Sequence, residues 1–108
     1  FALVAADTLR SNNWHKDGTL RNIYLFNAKL HGVNLVDANL QGAKLWEADL
    51  RSADLRSANL QGAKLRGANL WGANFRGANL SQIDLRGVNF KKVNLEGAIM
   101  PNDWSSEE

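Results

Sequence analysis

The chain repeats every five residues. From Leu20 to Leu95 every fifth position is large and apolar, Leu at fourteen of sixteen and Phe75 and Phe90 at the other two, and Met100 extends the series. Two residues before each lies a smaller register, Ala in ten of sixteen cases and Gly18, Ile23, Val33, Ile83, Val88 or Val93 otherwise. The residue between them is Asn or Asp in eleven of sixteen units. Eight of the nine glycines fall on the second position after the Leu. The unit therefore reads Ala-Asn/Asp-Leu-X-Gly.

Neither regular secondary structure can bury a period of five. On an α-helix at about 100° per residue, successive leucines step by about 140° and spread around the cylinder, leaving no apolar stripe. On a straight strand five is odd, so Leu20 and Leu25 would face opposite sides. The pattern becomes consistent when the chain turns a corner in every unit, with Ala and Leu pointing inward from a short extended segment. Gly then occupies the third place of a four-residue turn, where a type II turn needs φ > 0. Asn22, Asn27 and Asp37 at the same register tolerate that geometry, whereas Glu47 and Lys92 predict a different turn, so corners of mixed type are expected.

The number of sides follows from a longer repeat. The segment ANLQGAKL at residues 38–45 recurs identically at 58–65, an offset of twenty, which favours four sides per coil. Stacking at that offset opposes Lys29 to Asp49, Lys64 to Asp84 and Arg76 to Glu96. It also superposes Arg66 on Arg86, Arg56 on Arg76 and Lys44 on Lys64, so charge alone does not decide the count.

Units such as Ala53-Asp54-Leu55-Arg56-Ser57 and Ala68-Asn69-Leu70-Trp71-Gly72 resemble the pentapeptide-repeat family, A(D/N)LXX, over residues 18–97. The resemblance implies an all-β fold, a right-handed quadrilateral β-helix of about four coils of 20 residues. The expected core is Leu40, Leu45, Leu50, Leu55, Leu60, Leu65, Leu70, Phe75 and Leu80, with Ala inside beside them. Ala is unbroken in the small register from Ala38 to Ala78, which predicts an interior too narrow for more; the larger Ile and Val at both ends predict a tube that loosens there. Residues 1–17 are expected to form an N-terminal cap with a short helix, 18–100 the β-helix and 101–108 a C-terminal tail in which Pro101 blocks a further rung. A poorly capped last coil would offer a homodimer surface. The opening Phe1 is expected of a trimmed or processed piece.

The chemistry is sparse. Without cysteine there is no disulfide, thiolate metal site or cysteine nucleophile, and the longest apolar run, residues 1–6, is far short of a membrane span. His15 and His31 have no second imidazole at ligand spacing, and the carboxylates fall on outward positions, so no catalytic residue, metal or cofactor is assigned. Residues 20–99 carry eleven Lys/Arg against six Asp/Glu, while the whole chain is +2. Arg51, Arg56, Arg66, Arg76 and Arg86 recur at the first corner position, with Trp46 and Trp71 interleaved. The ordinary reading of such charges is a solvated face; the sharper one is a partner surface of Trp46, Arg66, Arg86, Arg56, Arg76, Trp71 and Arg51, because Arg and Trp carry interface energy. The expected function is a non-catalytic rod that scaffolds protein–protein interaction.

The alternative is a nucleic-acid role. Some members of the family resemble duplex DNA and act on gyrase, but that mimicry needs an acidic rod. This chain is basic, short and without loop insertions, and direct DNA binding is disfavoured by the dispersed charge. The family is abundant in cyanobacteria, with some members directed to the lumen or periplasm; the compartment of this chain is open between those and the cytoplasm.

Overall fold

The computed structural model describes residues 20–104; the expected N-terminal cap and residues 105–108 of the tail lie outside them. Within that span the chain is a four-sided solenoid. Single-residue parallel bridges join Tyr24 to Lys44, Lys29 to Asp49, Asn34 to Asp54 and Asn39 to Asn59, and continue at the same offset of twenty to Asn79 and Ile99. Each coil thus has four sides of five residues. The sides do not extend into longer strands, because a corner every five residues leaves three extended residues between turns.

The sixteen described corners of the repeat, from residues 21–22 to 96–97, use one backbone solution. The second corner residue has φ between 56° and 74° throughout, at Glu47 and Lys92 as well as at the glycines, and no first corner residue has positive φ. That is the sign pattern of a type II turn. The expected mixture of turn types is therefore corrected. A closed coil repeating every twenty residues demands the same bend at every corner, and Glu47, Ser52, Ser57, Gln82 and Lys92 accept a left-handed conformation that costs an L-residue about 1–2 kcal/mol.

Backbone accounting explains the rest of the motif. In the unit 53–57, Ala53 N–H closes the turn on the Leu50 carbonyl at 3.0 Å, and Asp54 N–H donates down to Val33 at 2.9 Å. Leu55 and Ser57 N–H donate up to Asn74 and Arg76 at 2.7 and 2.9 Å. The fifth donor, Arg56 N–H, points out of the ladder and is accepted by the Asp54 side chain at 3.3 Å. The same side-chain bond recurs at every Asn or Asp of the middle register, from Asn34 to Asn94. Asn and Asp are there because the corner amide has no other acceptor within the coil stack.

Leu and Ala face one shared axis. Leu20 to Leu80, Phe75 included, are at most 2% exposed, and Ala38 to Ala78 at most 1%. Each buried Leu contributes about 1.5–3 kcal/mol, and the flanking Ala keeps facing sides close enough to touch. The loosening expected at both ends occurs at one. Ile23 and Val33 are buried in the first coil, whereas Leu85, Val88, Phe90, Val93, Leu95 and Met100 are only partly covered in the last. There Trp104 packs edge-on to Phe90 with centroids 5.1 Å apart, and the N–H groups of Leu85, Gly87, Phe90, Lys92, Leu95 and Gly97 have no acceptor among the described residues.

Candidate functional site

The four faces differ in what their middle register carries. Three are dominated by Asn and Asp; the fourth runs Tyr24, Lys44, Lys64, Asp84. Within the described middle register up to Asn94, only Tyr24, Lys29, Lys44 and Lys64 depart from Asn/Asp. Tyr24, Lys44 and Lys64 share one face, and Lys29 begins the next. The corner between those two faces is the column Phe26, Trp46, Arg66, Arg86, so four of the five described departures flank one edge of the rod; the fifth, Ile99, ends the face of Asn39, Asn59 and Asn79.

This edge is aromatic at one end and basic along its length. Phe26 is 53% and Tyr24 39% exposed, and Trp46 is half-buried. The Tyr24 and Trp46 rings meet edge-on with centroids 6.5 Å apart, and Lys44 Nζ sits 5.5 Å from the Tyr24 centroid. That cation–π geometry holds one lysine against the rings. Lys44 and Lys64 are bridge partners on adjacent rungs, about 4.8 Å apart at the backbone. Lys29, Lys44, Lys64 and Arg66 form no ion pair among the described residues.

The other arginines are occupied. Arg51, Arg56 and Arg86 each fold back as a two-pronged clamp on the carboxylate two residues earlier, Asp49, Asp54 and Asp84, with Nη2–Oδ2 distances of 2.7 Å. The clamp holds Asp49 and Asp84 well below the usual carboxylate range, at about 2, and lowers Asp54 in the same sense; the guanidinium hydrogen bonds are the largest cause. Arg76 pairs across one coil with Glu96 at 3.1 Å. The expected stacking of Lys29 on Asp49 and Lys64 on Asp84 is present at the backbone, but both carboxylates are taken by their neighbouring arginines.

The residues singled out from sequence are therefore dispersed. Trp46, Arg66 and Arg86 share the basic edge. Arg51 and Trp71, the latter 45% exposed, lie one corner further on, and Arg56 and Arg76 one beyond that. Tyr24, Lys29, Lys44 and Lys64 were missed as site residues. Their signal was the departure from Asn/Asp, legible only once the capping task of that register is known. A second feature is the open end of the last coil, a groove of about 1030 Å³ whose lining includes Leu85, Arg86, Phe90, Lys91 and Trp104. Among the described residues no three His, Cys, Asp or Glu side chains converge as a metal site, and no helix is long and apolar enough to cross a membrane.

Comparison with known proteins agrees with the repeat. The family profile described as pentapeptide repeats (8 copies) matches this chain twice, at residues 34–72 and 63–102. The pentapeptide repeat protein Rfr23 from the cyanobacterium Cyanothece 51142 is 39% identical over 76% of this chain and 58% of its own, with a TM-score of 0.43. A pentapeptide repeat protein from Nostoc Pcc 7120 is 27% identical over 95% of this chain and 90% of its own, with a TM-score of 0.45. HetL, a pentapeptide repeat protein involved in heterocyst differentiation regulation from Nostoc sp. strain PCC 7120, is 36% identical over 75% of this chain and 42% of its own, with a TM-score of 0.34. The chain thus spans less than two thirds of the length of Rfr23 and of HetL. No curated protein matches it significantly. With the repeat in register through four coils and the family profile covering residues 34–102, the chain belongs to the pentapeptide-repeat family.

Proposed function

We propose that this protein is a non-catalytic, right-handed quadrilateral β-helical rod that presents one edge to a protein partner. One observation carries the reading. Four of the five described positions that abandon the Asn/Asp cap, all but Ile99 in the last rung, gather on the faces flanking Phe26, Trp46 and Arg66, and they bring lysines and an aromatic ring instead. Stacking Lys44 on Lys64 and leaving the Trp46 and Arg66 corner amides without the side-chain cap used elsewhere both work against the fold. Departures from a fold's own rule are expected where function overrides stability. The involvement of HetL in heterocyst differentiation regulation supports a regulatory rather than chemical role for a rod of this repeat.

The test is affinity capture from the native host with the wild-type rod and two variants. Phe26→Ser/Trp46→Ser is expected to lose the captured protein, while Trp71→Ser, one corner away, retains it. Equal recovery by all three rejects the edge as the partner surface. The open end of the last coil supports a second reading, a homodimer through that end. Sedimentation at rising concentration that gives only monomer rejects it.

A further inference from the structure

Building on the protein-partner reading, we propose that the edge is a docking site for an acidic, extended peptide segment. Charge complementarity comes first. Lys29, Lys44, Lys64 and Arg66 form no ion pair among the described residues, Asp84 acting on Arg66 only through space, and Glu47 at the corner is likewise without an ion pair. Asp49 and Asp84, which would otherwise neutralise the lysines above and below them, are withdrawn into their arginine clamps. In each clamp the guanidinium offsets the carboxylate charge beside the lysines, so the pair is net neutral and the lysines carry the excess.

Geometry narrows the ligand. The three rungs from Tyr24 through Lys44 to Lys64 span about 10 Å, and alternate side chains of an extended strand lie about 6.8 Å apart. The two spacings differ by about 2 Å, which the flexible stems of Lys44 and Lys64 can take up, so a segment with acidic residues at alternate positions can meet the cations of these two rungs. Its intervening apolar side chains have Phe26 and the flank of Trp46 to pack on. Nucleic acid fits less well. Its affinity grows with the number of phosphates neutralised, and Arg51, Arg56 and Arg86 are already held by carboxylates at 2.7 Å. The Tyr24 ring is also covered by Lys44 and met by the edge of Trp46, which removes a free platform for base stacking.

The experiment titrates the protein against three fluorescein-labelled probes by anisotropy at low salt: an octapeptide alternating glutamate with proline and valine, its glutamine counterpart, and a single-stranded DNA dodecamer. The glutamate peptide is expected to bind saturably, and the glutamine peptide to bind at least about tenfold more weakly. Lys44→Asn/Lys64→Asn installs the capping residue used on the other faces, so its melting temperature is expected to stay level or rise while peptide affinity falls about tenfold. Arg66→Gln, at an exposed corner, is a second variant expected to weaken binding without unfolding. Equal binding of both peptides, unchanged affinity in the variants, or no saturable binding overturns the proposal. Tighter binding of the dodecamer, lost in the same variants, overturns it in favour of nucleic acid. If the edge variants abolish partner capture while the glutamate peptide fails to bind, the chemistry assigned to the partner is wrong and the partner surface stands.

Discussion

The corner rule can be tested in both directions, by adding a side chain where Gly sits and removing one where it does not. Gly62 has φ +73° and nothing within 4 Å of where a Cβ would be, so Gly62→Ala changes conformational preference and little else. The left-handed conformation costs an L-residue about 1–2 kcal/mol, and the lower entropy of unfolded Ala returns about 0.4–1 kcal/mol of that. The net expectation is a loss of about 1 kcal/mol, which lowers Tm by about 4–8 °C in a domain of this size. Ser57, with φ 60° in a middle coil, is the mirror experiment: Ser57→Gly is expected to raise stability by a similar amount. Gly42→Ala separates strain from contact. Its φ of +71° matches Gly62, but its Cβ would run into the Asn22 side-chain oxygen, with Cγ at 3.3 Å. Asn22 can rotate away at a cost of about 0.5–1.5 kcal/mol, so Gly42→Ala should lose more than Gly62→Ala by that margin. Urea and thermal unfolding followed by circular dichroism measure all three. A neutral Gly62→Ala together with a destabilising Ser57→Gly would refute the claim that left-handed geometry sets the residue choice at the corners.

Three further outcomes are expected. Ala58→Leu inserts three carbons at a position 1% exposed in the narrowest part of the tube, so it should destabilise by at least about 1–3 kcal/mol or disorder the middle coils; unchanged melting would contradict the packing. Asn59→Ala removes the acceptor for Gln61 N–H at 3.0 Å and should cost about 1 kcal/mol, while Asn59→Asp, which keeps the oxygen, should restore most of it in the same unfolding assay. Acid stability follows the clamps. Asp49, Asp54 and Asp84 titrate lower folded than unfolded, so their contribution is present above about pH 4 and is lost as pH falls toward 2. The guanidiniums are exposed and the carboxylates partly exposed, and solvent screening keeps each clamp's contribution small. The triple variant with Asn at all three positions keeps the corner caps and should show a flatter pH dependence of Tm over that interval.

Much of the architecture was legible in the residues because a period of five has one compact solution. Leu and Ala two apart must face inward together, and the duplicated octapeptide favours a coil of twenty, the offset at which the bridges form. The corner type was misread at Glu47 and Lys92 because single-residue preference was weighed alone. A closed coil imposes one bend on all its corners, and a cost of about 1–2 kcal/mol at a few of them is smaller than the loss of coil register. The ends differ for a related reason: Val88 and Val93 resemble Ile23 and Val33 in size but are only partly covered, because burial at an end depends on what lies over it.

Composition and spacing alone determined that this chain is a repeat of bends around an apolar axis, with arginine and tryptophan on its outside. Only the tertiary structure decided which of those side chains are available. Arg51, Arg56 and Arg86 curl onto carboxylates two residues away, Arg76 onto Glu96 one coil above, and Arg66 pairs with none. It likewise gathered Tyr24, Lys29, Lys44 and Lys64 along one edge, since residues up to forty apart in the chain become neighbours when each coil lies about 4.8 Å from the last. A one-dimensional pattern states which way a side chain points. Which partner it meets there depends on distances across coils, and those exist only after the solenoid has closed.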